Sequence, residues 1–282
     1  MLLQYNNCDK PIIGGESMCE IFCFNSNTPK QINECLECFY NHSEDHPHGW
    51  GLATMKSNEF VIRKEPIKAT CSQNLKDILS HPVVGKNVFA HIRLATVGEI
   101  ISPNCHPFIE ADDNNRSWML IHNGTIFDYP ELDKYTDKEN GDTDSERILL
   151  YIIDKINEFE SSKGAPSTIK ERFNLLTDIV EDLSKNNKLN LMIYDGDLTY
   201  IHSNMRNSLY YLKSDEGFLV ASTPLNDDEN WKEVELNKLF GLIDGNIIFE
   251  SGEHENEFIF TDAHQKAIEE FLKTVHKDGI DD

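Results

Sequence analysis

Apolar and polar positions alternate along several short stretches of the chain. Residues 20–25 read Glu-Ile-Phe-Cys-Phe-Asn. In an extended strand, Ile21, Cys23 and Asn25 fall on one side and Glu20, Phe22 and Phe24 on the other. Further strand patterns fall at residues 51–55, 59–63, 87–93 and 118–122, with helices expected over 31–41 and around 75–79. Next come Thr143-Asp144-Ser145-Glu146 and then Leu149, Ile152, Ile153 and Ile156, spaced i, i+3, i+4, i+7. That spacing predicts an amphipathic helix, opened by a capping box of Thr143 and Glu146. A second helix is expected over 168–186, with Thr168 and Glu171 in the same relation.

The pattern then returns to strands. Residues 189–202 read as a hairpin turning at Asp195-Gly196, and four later short strands include a pair joined by Asp244-Gly245. A last helix, capped by Asp262 and Gln265, would align Ile268, Phe271, Leu272 and Val275 on one face. Strands, then two helices, then strands again suggest an α+β chain with antiparallel sheets and helices packed outside them. Linkers are short, which favours a single domain; the best boundaries are the tail 1–17 and the segment 160–167.

Composition narrows the class. With 282 residues and 39% hydrophobic content, the chain can bury a sizeable core. The first twenty residues lack a basic region followed by an apolar one, so no secretory signal is read. No apolar run approaches the roughly 18 residues of a membrane span. The seven cysteines then read as free thiols in a reducing, cytoplasmic setting. The net charge of −23 argues against nucleic acid and anionic membranes as partners. The 16 acidic against 5 basic groups of residues 226–282 read as a solvated face.

Several segments could carry chemistry. Cys35 and Cys38 precede His42 and His46, but only three residues separate the pairs, against about a dozen in a zinc finger. On a helix the two cysteines serve equally well as small core residues. His48-Gly49-Trp50-Gly51 suits a strand start that needs glycine geometry. Arg93 ends an apolar strand, where a structural carboxylate or an anionic ligand would satisfy its fork. Asn123-Gly124 after an apolar run is a hairpin signal.

In this order, the segments resemble the class-II glutamine amidotransferases, N-terminal-nucleophile enzymes whose mature chain begins with cysteine. The matching residues are Met18-Cys19-Glu20, His48-Gly49-Trp50-Gly51, His91-Ile92-Arg93-Leu94-Ala95-Thr96, His106-Pro107-Phe108, His122-Asn123-Gly124 and Thr143-Asp144-Ser145-Glu146. They span about Cys19 to Phe159, with a looser likeness to Glu250. The Gly-Trp-Gly variant, without an attached synthase domain, resembles the small stand-alone branch.

The resemblance implies a four-layer αββα sandwich. It also implies hydrolysis of a γ-glutamyl amide through a Cys19 thioester, with no metal or organic cofactor. Asn123 and the Gly124 N–H would hold the oxyanion, Arg93 the substrate α-carboxylate and Asp144 its α-ammonium. Thr96, His106, Gly49 and Trp50 would complete the substrate pocket. His48 stands where many relatives carry arginine, and it is left unassigned. The base would be the α-amine of Cys19, which requires residues 1–18 to be absent, as a leader or a mis-assigned start. Residues 19–282 would then be one amidotransferase domain ending in an acidic helix.

The expected partner is a small γ-glutamyl compound, with a homodimer or a separate synthase subunit as protein partners. An ammonia-donating subunit is the enzymatic alternative. A non-catalytic zinc or protein-binding module is the alternative from another class.

Overall fold

The computed structural model describes residues 19–56 and 59–275, so the expected leader lies outside the described residues. Strand β1 (Glu20–Gln31) leads into α1 (Asn33–Asn41), β2 (Trp50–Lys56), β3 (Glu59–Glu65), α2 (Gln73–Leu79) and β4 (Val84–Ile92). Strands β5 (Phe108–Ala111) and β6 (Ser117–Thr125) precede α3 (Asp144–Lys163) and α4 (Ile169–Leu183). The rest holds β7 (Lys188–Tyr194), β8 (Thr199–Ser203), β9 (Tyr210–Ser214), β10 (Gly217–Ala221), β11 (Lys232–Glu233), β12 (Lys238–Ile243), β13 (Asn246–Glu250) and α5 (Asp262–Val275).

Two antiparallel sheets result. One runs β11-β9-β10-β1-β4-β2-β3 and the other β13-β12-β8-β7-β6-β5. Strand alternation assigns their faces. Ile21 and Cys23 of β1 meet Phe89 of β4, Met119 and Ile121 of β6, Met192 of β7 and Val220 of β10 in a core between the sheets. Phe22 and Phe24 point the other way, onto Leu36 and Phe39 of α1 and Leu75 of α2. On the far side, Trp118 and Leu120 of β6 pack on Ile148, Ile152 and Ile156 of α3 and Phe173 and Leu176 of α4. The order is helix, sheet, sheet, helix. At one end, Asn25 closes the inner layer by donating to Asn87 (2.6 Å) and Thr199 (3.2 Å).

Some expectations are corrected. Asn123-Gly124 forms no turn: both residues lie inside β6, opposite Asn190 and Leu189 of β7. Thr143 does cap α3, accepting from Glu146 N at 3.3 Å. The Glu146 carboxylate instead takes the N–H groups of Asn140 (2.8 Å) and Gly141 (3.0 Å), so the reciprocal half of that box is not formed. The Thr168–Glu171 box of α4 is complete. At α5, Thr261 rather than Asp262 accepts the His264 N–H, at 3.4 Å. The side chains of Phe271, Leu272 and Val275 lie outside what is described. Glu160, placed in a linker by its polar surroundings, lies in α3, and its buried carboxylate accepts from Ser167 N at 2.8 Å. The turns at Asp195-Gly196 and Asp244-Gly245 are as expected, with positive φ at Gly196, Asp244 and Gly245. Cys19, Cys23, Cys35, Cys71 and Cys105 are free.

Candidate active site

The period of two that builds the inner core also builds the site. Following each inward row to the same end of the sandwich, β1 finishes on Cys19 (after Cys23 and Ile21) and β4 on Arg93 (after Phe89 and His91). In the same way β6 reaches Asn123 (after Met119 and Ile121), β7 begins on Lys188, and β10 gives Ser222 (after Phe218 and Val220). Five strands from both sheets thus deliver polar groups to one place, and α3 adds Asp144 from its first turn.

Cys19 is partly buried at the start of β1. Its Sγ lies 3.2 Å from Leu94 O, and Leu94 N donates to it at 3.3 Å. Burial pushes the thiol pKa above its usual value; the Leu94 bond and the Arg93 and Lys188 charges pull it down, and Asp144 opposes them. Burial prevails, so the sulfur is held as a thiol and needs a base to become a nucleophile.

Asn123 is fixed at both ends of its carboxamide. Lys188 Nζ donates to its Oδ1 at 3.0 Å, and its Nδ2 donates to Ser222 Oγ at 3.2 Å. Ser222 Oγ also accepts from Ile21 N at 3.0 Å, two residues from Cys19. Gly124 follows because nothing larger fits: a Cβ there would stand 2.0 Å from Lys188 O and 2.3 Å from His122 Nε2.

Arg93 is buried, and its fork closes a loop. It donates to the carbonyls of Glu99 (2.8 Å), Val97 (2.8 Å) and Gly98 (3.2 Å). Three of its five hydrogens are thereby used among the described residues; the other two, on Nε and Nη1, lie on opposite edges of the guanidinium, so a single carboxylate can reach only one of them. His48, unassigned from sequence, sets the start of this loop: its N–H donates to Arg93 O at 3.0 Å and its Nδ1 accepts from Ala95 N at 2.9 Å. Asp144 Oδ2 accepts from Ile126 N (2.8 Å) and Oδ1 from Ser145 Oγ (3.2 Å). Thr96 Oγ1 lies 3.1 Å from Thr125 Oγ1 of β6.

The remaining expected residues divide. His106 is buried and stacks on His91 with ring centres 4.0 Å apart, and neither of its ring nitrogens has a partner among the described residues. Burial holds both imidazoles well below the usual histidine range, hence neutral. Gly49 O accepts from Arg93 N at 2.8 Å, and a Cβ on Gly49 would lie 2.6 Å from Cys105 Sγ. Trp50 is not brought to this space. It lies in the outer core beside α1, where Nε1 donates to Glu65 at 3.1 Å. Cys35 and Cys38 face that same outer core. His42 Nδ1 meets Glu20 at 2.9 Å and His46 Nδ1 meets His42 O at 2.8 Å. Among the described residues no group of three or more His, Cys, Asp or Glu could hold a metal, and no helix is long and apolar enough to cross a membrane. Sequence reasoning missed Lys188 and Ser222. Counting in twos along their strands puts both on inward rows, but what they hold becomes visible only when the two sheets face each other.

Comparison with known proteins places this arrangement. An uncharacterized protein of Methanocaldococcus jannaschii, MJ1515, is 29% identical over 262 residues, covering 82% of this chain and 71% of that protein. Among solved structures, a "predicted glutamine amidotransferase" from Pseudomonas aeruginosa aligns with a TM-score of 0.59 at 18% identity, over 82% of this chain and 100% of that one. The glutamine phosphoribosylpyrophosphate amidotransferase of B. subtilis aligns with a TM-score of 0.59 at 18% identity, over 83% of this chain and 49% of that one. At these identities the two structures testify to the fold. The family itself, glutamine amidotransferases class-II, matches residues 18–218, from the position before Cys19 into β10. By that match, over the greater part of its length, this chain belongs to the class-II glutamine amidotransferases.

Proposed function

We propose that the protein hydrolyses a γ-glutamyl amide, glutamine or a γ-glutamyl compound, through a thioester on Cys19. The observation that carries the reading is the convergence of a thiol, an anchored carboxamide, a guanidinium and a carboxylate on one end of the inter-sheet layer.

Arg93 would take the substrate α-carboxylate with its charge and one remaining hydrogen and Asp144 the α-ammonium, while Thr96 and His106 line the pocket and Gly49 positions Arg93. Cys19 Sγ then adds to the γ-carbonyl carbon. Its proton passes to the α-amine of Cys19, whose usual pKa of roughly 7.7–8.0 leaves a useful neutral fraction. The carbonyl oxygen becomes an oxyanion facing Asn123 Nδ2 and the Gly124 N–H. As the C–N bond breaks, that proton leaves with ammonia or the amine. Water, deprotonated by the same amine, cleaves the C–S bond, releasing glutamate and restoring the thiol. An acylated cysteine nitrogen cannot act as this base, so the active enzyme begins at Cys19, with 19–282 as its single domain.

The test is glutamate release from glutamine and a panel of γ-glutamyl compounds by protein beginning at Cys19. Turnover by wild type and none by a folded Cys19→Ala variant is expected; equal turnover by both would overturn the reading. Turnover that rises only with an added synthase would instead mark an ammonia-donating subunit.

A further inference from the structure

We propose that Lys188 is a positioning residue of this site, its ammonium holding the Asn123 carboxamide so that Nδ2 faces the reaction space. The inference rests on the reading of Asn123 as an oxyanion donor.

Lys188 is 3% exposed at the first position of β7. Lysines are almost never buried this fully unless paired, because removing an ammonium from water is costly. Its Nζ donates to Asn123 Oδ1 at 3.0 Å. The chemistry of the pair settles the orientation of the amide: an ammonium has hydrogens to give and no lone pair to accept with, so only the oxygen end can face it. The nitrogen end is thereby turned toward Ser222, which it meets at 3.2 Å. Without the cation the two ends of the carboxamide would compete for Ser222, since a hydroxyl can serve either.

One Nδ2 hydrogen goes to Ser222, leaving the second for an oxyanion. Ser222 is itself tied to the nucleophile's strand twice, through its Oγ to Ile21 N and its N–H to Ile21 O, each at 3.0 Å. The chain Lys188, Asn123, Ser222, Ile21 therefore crosses from one sheet to the other and sets the donor's position relative to Cys19. A cation on Oδ1 also polarises the amide and strengthens its N–H as a donor. Local sequence carries no trace of this role, because it depends on two sheets meeting.

The test is a double-mutant cycle on glutamate release by protein beginning at Cys19, with wild type, Lys188→Met, Asn123→Ala and the double variant. Lys188→Gln, which keeps an N–H for Oδ1, is run beside them. If Lys188 acts through Asn123, Lys188→Met lowers kcat about tenfold or more with KM nearly unchanged. The same change on an Asn123→Ala background costs less than about threefold, and Lys188→Gln recovers part of the loss. A crystal structure of Lys188→Met supplies a readout independent of turnover, with the carboxamide turned away from Ser222. A carboxamide left in place, an equal kcat loss in both backgrounds, or a loss confined to KM overturns the proposal. So does failure of both Lys188 variants to fold, which would make the lysine structural. If wild type releases no glutamate yet the carboxamide moves in Lys188→Met, the hydrolase reading fails and the positioning role stands.

Discussion

Replacing Arg93 by lysine separates two roles the structure gives it. The guanidinium bonds the carbonyls of Val97, Gly98 and Glu99 and keeps its charge and one hydrogen for a substrate carboxylate. A lysine keeps the charge but cannot span carbonyls and a carboxylate in one plane. Hydrogen bonds from charged groups contribute about 1.5–3 kcal/mol each. Losing two of the three would cost about 3–6 kcal/mol if nothing replaced them, and less where water reaches the freed loop. On the substrate side, losing one member of a buried charged pair costs about 2–5 kcal/mol. At about 1.4 kcal/mol per decade this is roughly a 30- to 5000-fold fall in kcat/KM. Because Arg93 would touch the α-carboxylate and not the reacting carbonyl, much of that fall should appear in KM. The assay is steady-state glutamate release by Arg93→Lys, with thermal unfolding measured in parallel. A lower Tm with KM unmoved would show that Arg93 only staples the loop, and would refute the substrate assignment.

Three further outcomes are expected. Intact-mass analysis of the active form should find Cys19 at the N-terminus; full activity in a chain that keeps Met1–Met18 would refute the amine as base. Gly51→Ala should destabilise by about 1–3 kcal/mol or more, because its Cβ would stand 1.8 Å from His106 O; a wild-type Tm would refute this. Burial lowers the pKa of His91, His106 and His202, the last to about 3. The unfolded chain therefore takes up protons below about pH 6.5 that the folded chain refuses, and stability present above that pH is lost below it. Each histidine can remove up to about 2 kcal/mol by pH 5, so the urea midpoint should fall between pH 7 and pH 5. An unchanged midpoint would refute the claim.

Many of the strands were legible because they obey a simple alternation, while their stacking into four layers came from the family resemblance alone. The two faces of β1 were assigned from residues 20–25, and the helices on the far sheet from the spacing of Leu149, Ile152, Ile153 and Ile156. What escaped was non-local. Alternation puts Trp50 in step with Leu52, which lies in the outer core beside α1, while the motif around Trp50 suggested the pocket. Asn123-Gly124 has the local chemistry of a turn, but pairing with β7 overrides it. The carbonyls that hold Arg93 belong to a loop without periodicity, and Lys188 and Ser222 acquire meaning only once two distant strands face each other.

The row of inward residues on β1 makes the chain unequally tolerant of changes in length. Between Cys19 and Asn25 the count is a matter of parity. One residue inserted or removed there would turn either the thiol toward α1 or Asn25 out of the layer it closes. Past Asn25 the constraint lapses, because the pairing of β1 with β4 already shifts register between Asn25 and Lys30. An extra residue can be absorbed there without moving the nucleophile. The sulfur is thus placed by counting back from a fixed plug at the far end of the strand, and the six residues after Cys19 work as a ruler of set length: an odd change turns the thiol to the wrong face, and an even one, at about 3.3 Å per residue, carries it past Leu94.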